Sequence, residues 1–313
     1  MTDSRRGVLL VLLSALAFGT SGPFARALMD AGWTPGAAVL VRITGAAVVL
    51  GAMTALLWRE HLRRALRTPG VILVYGAVGV AGVQLCYFSA VRTLSVSVAL
   101  LLEYLAPVLV VAWLWMRTGR RPSRCTLLGG ALALAGAVAL LDVTGDARID
   151  TAGVLWALAA AAGLACYFLV MGRDSQGADP IHPAVLATTG MFVGSAAVAV
   201  AAVTGVFPVE FGTTATALAG HPTPVWVPVS ALVLGSTVLA YLAGAAGLAR
   251  VGATMGSLIN LSELLFAVIA AWLLLDQWPT PPQLLGAVLV VAGVVLARTG
   301  DRRPVAEPAA ALA

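Results

Sequence analysis

Ten apolar segments, each long enough to cross a lipid bilayer as a helix, dominate this sequence. A membrane-spanning helix needs about 20 mostly apolar residues. The segments that qualify are 7–28, 35–57, 71–91, 95–116, 124–142, 151–171, 183–204, 226–248, 253–275 and 282–298. Of the 313 residues 60% are hydrophobic and only 11% are charged, too few to coat a water-facing surface. The sequence therefore predicts an all-α integral membrane protein with ten transmembrane helices.

Arginine residues between the segments predict the orientation in the membrane. If the N-terminus lies in the cytoplasm, fifteen arginines fall on the cytoplasmic side and two, Arg92 and Arg148, on the outer side. Positively charged residues concentrate in cytoplasmic loops. We therefore expect a multi-pass protein of the plasma (inner) membrane with both termini cytoplasmic. The first apolar run continues past Phe18 to Leu28 and others follow it, which favours a retained helix over a signal peptide.

An internal repeat divides the chain into two halves. A shift of 157 residues brings similar residues together: Trp115 and Trp272, Pro122 and Pro279, Leu127-Leu128-Gly129 and Leu284-Leu285-Gly286. Five spans separate the matched positions, and an odd number predicts that the second copy enters the membrane from the opposite side. We expect two inverted five-helix repeats, 7–142 and 151–298, around a central cavity, and a disordered cytoplasmic tail at 299–313.

Three charged residues within predicted spans stand out, Arg42, Glu103 and Glu263, because a charge inside the membrane is costly unless it faces a cavity or a partner. At a rise of about 1.5 Å per residue, Arg42 and Glu103 lie in the outer third of the membrane and Glu263 near its midplane. Asn260 shares the helix face of Glu263. These side chains either hold helices together or serve a substrate. A carboxylate can bind a cationic or amino group, and at low dielectric it can carry a proton.

Aromatic and amide side chains within the spans are candidate walls of the cavity. Each has an apolar body and a polar handle, and the alternative is anchoring at the lipid interface or helix packing. They are Gln84, Tyr87, Tyr104, Trp156, Tyr167 and Tyr241. Pro107 removes a backbone hydrogen bond in the fourth span. It predicts a kink beside Glu103 that either acts as a gate hinge or shapes the bundle.

Several kinds of site are not expected. The isolated Cys86, Cys125 and Cys166 show neither Cys-x-x-Cys nor Cys/His spacing, so we expect no metal site and no disulfide. No phosphate-binding Gly-x-x-x-x-Gly-Lys-Ser/Thr loop is present, and we expect no cofactor. The basic loops are too short to form a nucleic-acid surface. The expected partners are a small-molecule substrate and the lipid bilayer, and the sequence is compatible with a homodimer.

These features together resemble a known family, the ten-helix drug/metabolite transporters with paired EamA domains. The motifs that carry the resemblance are Phe18-Gly19-Thr20-Ser21, Arg42, the stretches Ala90 to Pro107 and Leu248 to Leu264, Leu128-Gly129 and Leu285-Gly286. The family often has proline after the acidic residue of the ninth span, whereas Leu264 follows Glu263 here. The resemblance implies an inner-membrane carrier, frequently an exporter of amino acids or related metabolites, with a central cavity between the repeats.

The leading hypothesis is a secondary transporter that exports a small metabolite by alternating access. Glu103 and Glu263 would line its path, and Arg42 would support the outer end. A channel or a non-transporting membrane assembly partner is the first alternative, and an intramembrane enzyme is the second. The sequence lacks Gly-x-Ser-x-Gly, a Ser/His pair at membrane depth and paired aspartates on a span, so we do not expect an enzyme.

Overall fold

The computed structural model describes residues 3–65, 67–91, 93–94, 96–141, 150–174, 181–206, 208–212 and 215–301, and these are predominantly helical. Within them, eight helices are long and apolar enough to cross a membrane, and the apolar helices Arg124–Leu140 and Ser262–Leu275 are shorter. The predicted tail at 299–313 lies outside the described residues from 302 onward. The last helix runs to Asp301. Arg92 and Arg148 also lie outside the described residues.

The first part of the chain forms a succession of α-helices joined by short turns. They are α1 (Asp3–Gly19), α2 (Ser21–Asp30), α3 (Pro35–Leu57), α4 (Arg59–Ala65), α5 (Pro69–Leu73), α6 (Val83–Ala90), α7 (Val96–Glu103), α8 (Ala106–Thr118) and α9 (Arg124–Leu140). Between α5 and α6, Val74–Gly82 is a π-helix. The start of α3 illustrates the local signals, because Pro35 occupies the first turn and the Thr34 hydroxyl accepts a hydrogen bond from the N–H of Ala37.

The second part of the chain repeats this helical pattern and adds a β-hairpin. Its elements are α10 (Thr151–Asp174), α11 (Pro183–Val203), β1 (Thr216–Leu218), β2 (His221–Thr223), α12 (Trp226–Ser230), a π-helix (Ala231–Leu239), α13 (Ala240–Asn260), α14 (Ser262–Leu275) and α15 (Pro281–Asp301). Strands β1 and β2 are antiparallel. Ala219 (φ 50°) and Gly220 (φ 73°) form the two-residue turn between them, and such turns require positive φ at both positions.

The fourth and ninth spans are interrupted, whereas the sequence predicted a kink beside Glu103 in the fourth and a continuous helix in the ninth. Helix α7 ends at Glu103, and a break of two residues separates it from α8. Helix α13 ends at Asn260, and a break of one residue separates it from α14. Pro107 lies in the first turn of α8, directly after the interruption, where its missing N–H removes no helical hydrogen bond, and its role as a gate hinge stays a prediction. The boundary predicted at 249–252, between the eighth and ninth spans, coincides with a kink inside α13, where Gly252 (φ 78°) lies outside helical geometry and separates two helices.

The elements of the two halves recur at a constant spacing. The π-helix Val74–Gly82 reappears as Ala231–Leu239, a spacing of 157 residues (74 to 231). The same spacing relates α5 to α12. It also relates Gly119 (φ 68°), the left-handed residue that ends α8, to Asp276 (φ 56°), which ends α14. Two copies of one succession of elements therefore build the chain.

The last helices of the two copies, α9 and α15, pack against each other in antiparallel directions. A Cβ atom added to Gly129 would lie 2.5 Å from the carbonyl oxygen of Gly293. Further along α9, a Cβ added to Gly136 would lie 2.7 Å from the carbonyl oxygen of Gly286, which comes earlier in α15. Glycine at all four positions lets the two backbones approach closely.

The helices of the second span in each copy, α3 and α11, also run antiparallel. The hydroxyl oxygens of Thr54 and Thr188 are 2.7 Å apart, and those of Thr44 and Ser195 are 2.8 Å apart. The contact positions rise along one helix as they fall along the other. Helix α3 begins with Pro35 and α11 begins with Pro183, in keeping with corresponding places in the two copies.

One end of the helical bundle carries the β-hairpin, and we call it the hairpin end. The N–H of Ala219 in the hairpin turn donates to the carbonyl of Leu274 at 2.8 Å. The N–H of Thr34, in the turn between α2 and α3, donates to the carbonyl of Glu210 at 3.0 Å. The segment that precedes α12 is thus bonded to elements of both copies.

The opposite end of the bundle is closed by tight packing of α1 on α13. A Cβ atom added to Gly247 would lie 2.8 Å from the backbone nitrogen of Val11. The Ser14 hydroxyl donates to the carbonyl of Ala240 at 2.7 Å. The ion pair of Asp3 with Arg250, at 3.3 Å, lies beyond these contacts.

Candidate functional site

A cavity of about 570 Å³ lies inside the bundle and reaches the surface at the hairpin end. Arg26 and Met29 of α2 and Pro35 of α3 line its mouth and are exposed. Deeper in, the wall is built by residues of α1, α3, α6, α7, α10, α13 and α14, so both halves contribute. Small-molecule sites typically have volumes of about 300–1,000 Å³. The cavity is therefore of a size that holds one small metabolite.

Nine of the ten side chains that the sequence suggested for binding or coupling lie on the wall of this cavity. They are Arg42, Gln84, Tyr87, Glu103, Tyr104, Tyr167, Tyr241, Asn260 and Glu263. The tenth, Trp156, does not line the cavity. Its residue is 48% exposed on α10, on a surface that faces lipid if the bundle spans a membrane.

The two interrupted helices place both carboxylates on the wall. Glu103 is the last residue of α7, and Glu263 is the second residue of α14. Broken helices are tolerated at membrane depth where they are buried in protein or line a water-filled cavity. The N-terminus of α14 also favours the negative charge of Glu263, because the free N–H groups of the first turn carry partial positive charge.

Glu263 and Glu103 differ in their bonding. The Asn260 side chain donates from Nδ2 to Oε2 of Glu263 at 3.0 Å. Glu263 is thus held by a residue of its own half, and Tyr104 of the other half lines the same cavity. In the part of the chain that the structure describes, no hydrogen bond or ion pair involves the Glu103 carboxylate.

Arg42 is the cation at the inner part of the wall. Its Nε is buried and has no hydrogen-bond partner among the described residues. No ion pair joins it to Glu103 or Glu263 in those ranges. A buried donor without a partner is energetically costly. The guanidinium is therefore available to an anionic group of a bound molecule.

Aromatic rings close the cavity away from the hairpin end. Phe18 meets Tyr241 edge to face at 5.2 Å between ring centroids, and Tyr167 meets Tyr241 at 5.9 Å. Tyr75 is fully buried behind them and stacks on Tyr167 at 5.6 Å. This layer continues into the buried residues between the cavity and the α1–α13 contact, so the described residues seal the cavity on that side.

Three aromatic residues of the wall were not predicted from the sequence: Phe18, Phe88 and Phe168. The sequence prediction was limited to side chains that carry a polar group, and phenylalanine has none. Phe88 follows Tyr87 and Phe168 follows Tyr167, and both tyrosines also line the cavity. Adjacent aromatic residues on a helix are separated by about 100°, and both can reach a wide cavity. Two adjacent aromatic residues inside a span could therefore have predicted that both line the cavity.

A second cluster of titratable residues lies at the end opposite the hairpin. His182, which precedes α11, stacks on Trp58 at 5.2 Å and lies 5.1 Å from His61, both measured between ring centroids. Burial lowers the pKa of His182, and the neighbouring His61 lowers it further. Nowhere in the described ranges do three His, Cys, Asp or Glu side chains come together as a metal site requires.

Comparisons with known proteins agree with this architecture. The model of the EamA-like transporter family matches residues 5–141 and again 151–299. The chain is 27% identical over 94% of its length to the uncharacterized transporter YwfM of Bacillus subtilis, of which it covers 94%. It is 24% identical over 97% of its length to the uncharacterized inner membrane transporter YicL of Salmonella typhimurium, of which it covers 98%.

A solved crystal structure of another protein has the same fold. It superposes with a TM-score of 0.73 at 21% identity, covering 94% of this chain and 96% of the other. Because the family model matches nearly the whole chain, in two successive copies, the protein belongs to the EamA-like transporter family of multi-pass membrane proteins.

Proposed function

We propose that the protein is a secondary transporter that exports a small metabolite by alternating access between two inverted five-helix halves. The observation that carries this proposal is a cavity open at one end of the bundle and sealed at the other. A carrier exposes its site to one side of the membrane at a time. The structure would represent one of its two access states.

Antiparallel packing of equivalent helices supports the inverted arrangement. If α9 and α15 occupy the same place in their copies and run in opposite directions, the two copies cross the membrane in opposite senses. The pair α3 and α11 gives the same result independently. Ten spans follow when the two short apolar helices are counted with the eight longer ones. The proposed halves are residues 7–142 and 151–298.

The arginine distribution supports a cytoplasmic position for both termini. The start of α1 lies opposite the hairpin end, so the hairpin end would face the outside of the cell. The cavity would then be open outward. This position agrees with the inner-membrane location in the name of the Salmonella relative.

The charged groups on the wall favour a substrate that carries both charges, such as an amino acid. Glu103 and Glu263 offer two carboxylates to an ammonium group, and Arg42 offers a guanidinium to a carboxylate. The surrounding aromatic rings would contact an apolar side chain and the face of a cation. Export, rather than uptake, rests on the resemblance to exporters.

A channel is the main alternative, and the aromatic layer argues against it. A channel needs a continuous polar path when open, whereas Tyr75, Tyr167 and Tyr241 fill the bundle below the cavity. An intramembrane enzyme would need a nucleophile and a base at the cavity. Among the residues that the structure describes, the wall holds Ser21 but no histidine and no cysteine.

Release of a compound from proteoliposomes would test the proposal. Liposomes would be loaded with a mixture of amino acids and amines, and mass spectrometry would follow what leaves. We expect saturable release of a small subset, lost in Glu103→Gln and Glu263→Gln and retained in Trp156→Phe. If folded protein releases no compound faster than protein-free liposomes do, the transporter proposal is wrong.

A further inference from the structure

Four arginines crowd the connection between α8 and α9, residues 117–124, which we call the arginine turn. Arg117 lies in the last turn of α8, and Arg124 is the first residue of α9. Arg120 and Arg121 lie between the two helices. All four are exposed, and no ion pair in the described part of the chain involves any of them. The arginine turn is therefore a concentrated positive charge without an acidic partner among those residues.

The fold of this connection does not require arginine. The equivalent connection of the second copy, 157 positions later, also follows a left-handed residue, Asp276, and also leads into an α-helix. The residues that correspond to the four arginines there are uncharged: Leu274, Gln277, Trp278 and Pro281. A positive charge at the start of a helix also opposes the helix dipole, so Arg124 does not stabilise α9. A requirement other than local folding must therefore explain the arginines.

The arginine turn lies at the sealed end of the bundle, opposite the hairpin. Leu274, near the end of α14, accepts a hydrogen bond from the hairpin, so α15 begins at the hairpin end and runs away from it. Near the far end of α15, Ala297 contacts Gly129 in the first turns of α9. The start of α9, and the arginines beside it, therefore lie where α15 ends.

Exposed apolar side chains adjoin the arginines on α8. They are Trp113, Trp115 and Met116. The guanidinium carbon of Arg117 lies 5.7 Å from the centre of the Trp113 ring, so the cationic and apolar surfaces are continuous. Tryptophan is enriched where a membrane helix meets the headgroup layer. A ligand that matches this surface has an anionic head and an apolar tail.

We propose that the arginine turn binds the headgroup of an anionic phospholipid, whose acyl chains lie along the exposed face of α8. Guanidinium groups donate paired hydrogen bonds to phosphate oxygens. Basic clusters just beyond the end of a membrane helix attract anionic headgroups. A free phosphate ion or an acidic macromolecule would use the arginines but not the apolar side chains next to them. The inference needs only that the protein spans a membrane, and it is independent of the transported compound.

Native mass spectrometry of the intact protein in non-ionic detergent, titrated with phosphatidylglycerol, would measure this binding. We expect tighter binding of phosphatidylglycerol than of phosphatidylcholine with the same acyl chains. Each arginine near an anionic headgroup layer strengthens binding about fivefold, so the double variant Arg120→Gln/Arg121→Gln should bind phosphatidylglycerol about 25-fold more weakly. The matched control Arg59→Gln/Arg63→Gln removes two exposed arginines of α4 and should bind like the unmodified protein.

Three results would overturn the lipid site. Equal weakening in the two double variants would mean that any positive charge suffices. Equal affinity for phosphatidylcholine would mean that the anionic headgroup is not recognised. Displacement of the lipid by inorganic phosphate would mean that the arginine turn binds the free ion. If the Arg120→Gln/Arg121→Gln variant folds poorly, Arg124→Gln decides, with an expected weakening of about fivefold.

Discussion

The close contact between α9 and α15 makes a quantitative prediction for Gly129→Ala. The added methyl carbon would lie 2.4 Å from the backbone nitrogen of Ala297, whereas ordinary contact begins at 3.4 Å. The clash involves backbone atoms that no side-chain rotation can move. The helices would have to separate by about 1 Å (3.4 against 2.4 Å). Overpacking of this kind typically costs about 1–3 kcal/mol.

Thermal unfolding in detergent would measure this loss. Gly286 is the equivalent glycine of the second copy, and a methyl group there would lie 2.7 Å from backbone atoms of Gly136 and Leu140. We therefore expect Gly129→Ala and Gly286→Ala to unfold at similarly reduced temperatures. Gly70→Ala is the control, because nothing lies within 4 Å of its added carbon. If Gly129→Ala unfolds at the same temperature as this control, the reasoning about the contact is refuted.

Three further predictions concern other parts of the molecule. Because the pKa of His182 is lowered in the folded protein, the unfolded chain binds more protons than the folded protein below about pH 6.5. The unfolding temperature should therefore fall as the pH is lowered through this range, and His182→Phe should reduce the dependence. An unchanged pH dependence in His182→Phe would contradict this assignment. Thr34→Val removes the hydroxyl that bonds Pro208 and Glu210, so proteolysis within 205–215 should quicken; equal cleavage rates would count against this tie. Trp156→Phe should leave binding of any substrate unchanged, whereas Tyr241→Phe should weaken it, and equal effects would show that the cavity wall is misassigned.

The positions of the apolar helices could be predicted from the sequence because the bilayer sets their length. Apolar runs bounded by proline, glycine and arginine overlap helices of the structure, such as α3 from Pro35 and α11 from Pro183, and eight of the described helices are long and apolar enough to cross a membrane. The repeat was also visible, since glycines at 129, 136, 286 and 293 recur at a fixed spacing. Close packing of these helices constrains those positions strongly, which is why the residues match.

Pro107 indicated an interruption of the fourth span, but its exact position at Glu103 and the break in the ninth span could not be predicted, because the residues around them favour helix. Leu100, Leu101, Leu102 and Glu103 are strong helix formers, and nothing in them indicates an end at Glu103. The break depends on the cavity, which takes up the freed backbone groups. Local sequence does not contain that tertiary information.

The direction in which each aromatic side chain faces could not be predicted from the sequence either. In a soluble protein, polar residues mark the outer face of a helix. In α10 the faces toward lipid and toward protein are both apolar, so the sequence does not fix the rotation of the helix. Trp156 and Tyr167 therefore looked alike as candidates. Only the structure places Tyr167 on the cavity wall and Trp156 on the outer surface.

Counterflow in proteoliposomes tests alternating access most directly. Liposomes that contain the protein would be loaded with an unlabelled compound identified by the release assay, and a trace of the labelled compound would be added outside. An alternating-access carrier takes label inward and returns to the outside loaded with the abundant unlabelled compound, so the label should accumulate inside transiently above its external concentration. Label that only equilibrates, without exceeding the external concentration, would contradict the carrier and favour a channel.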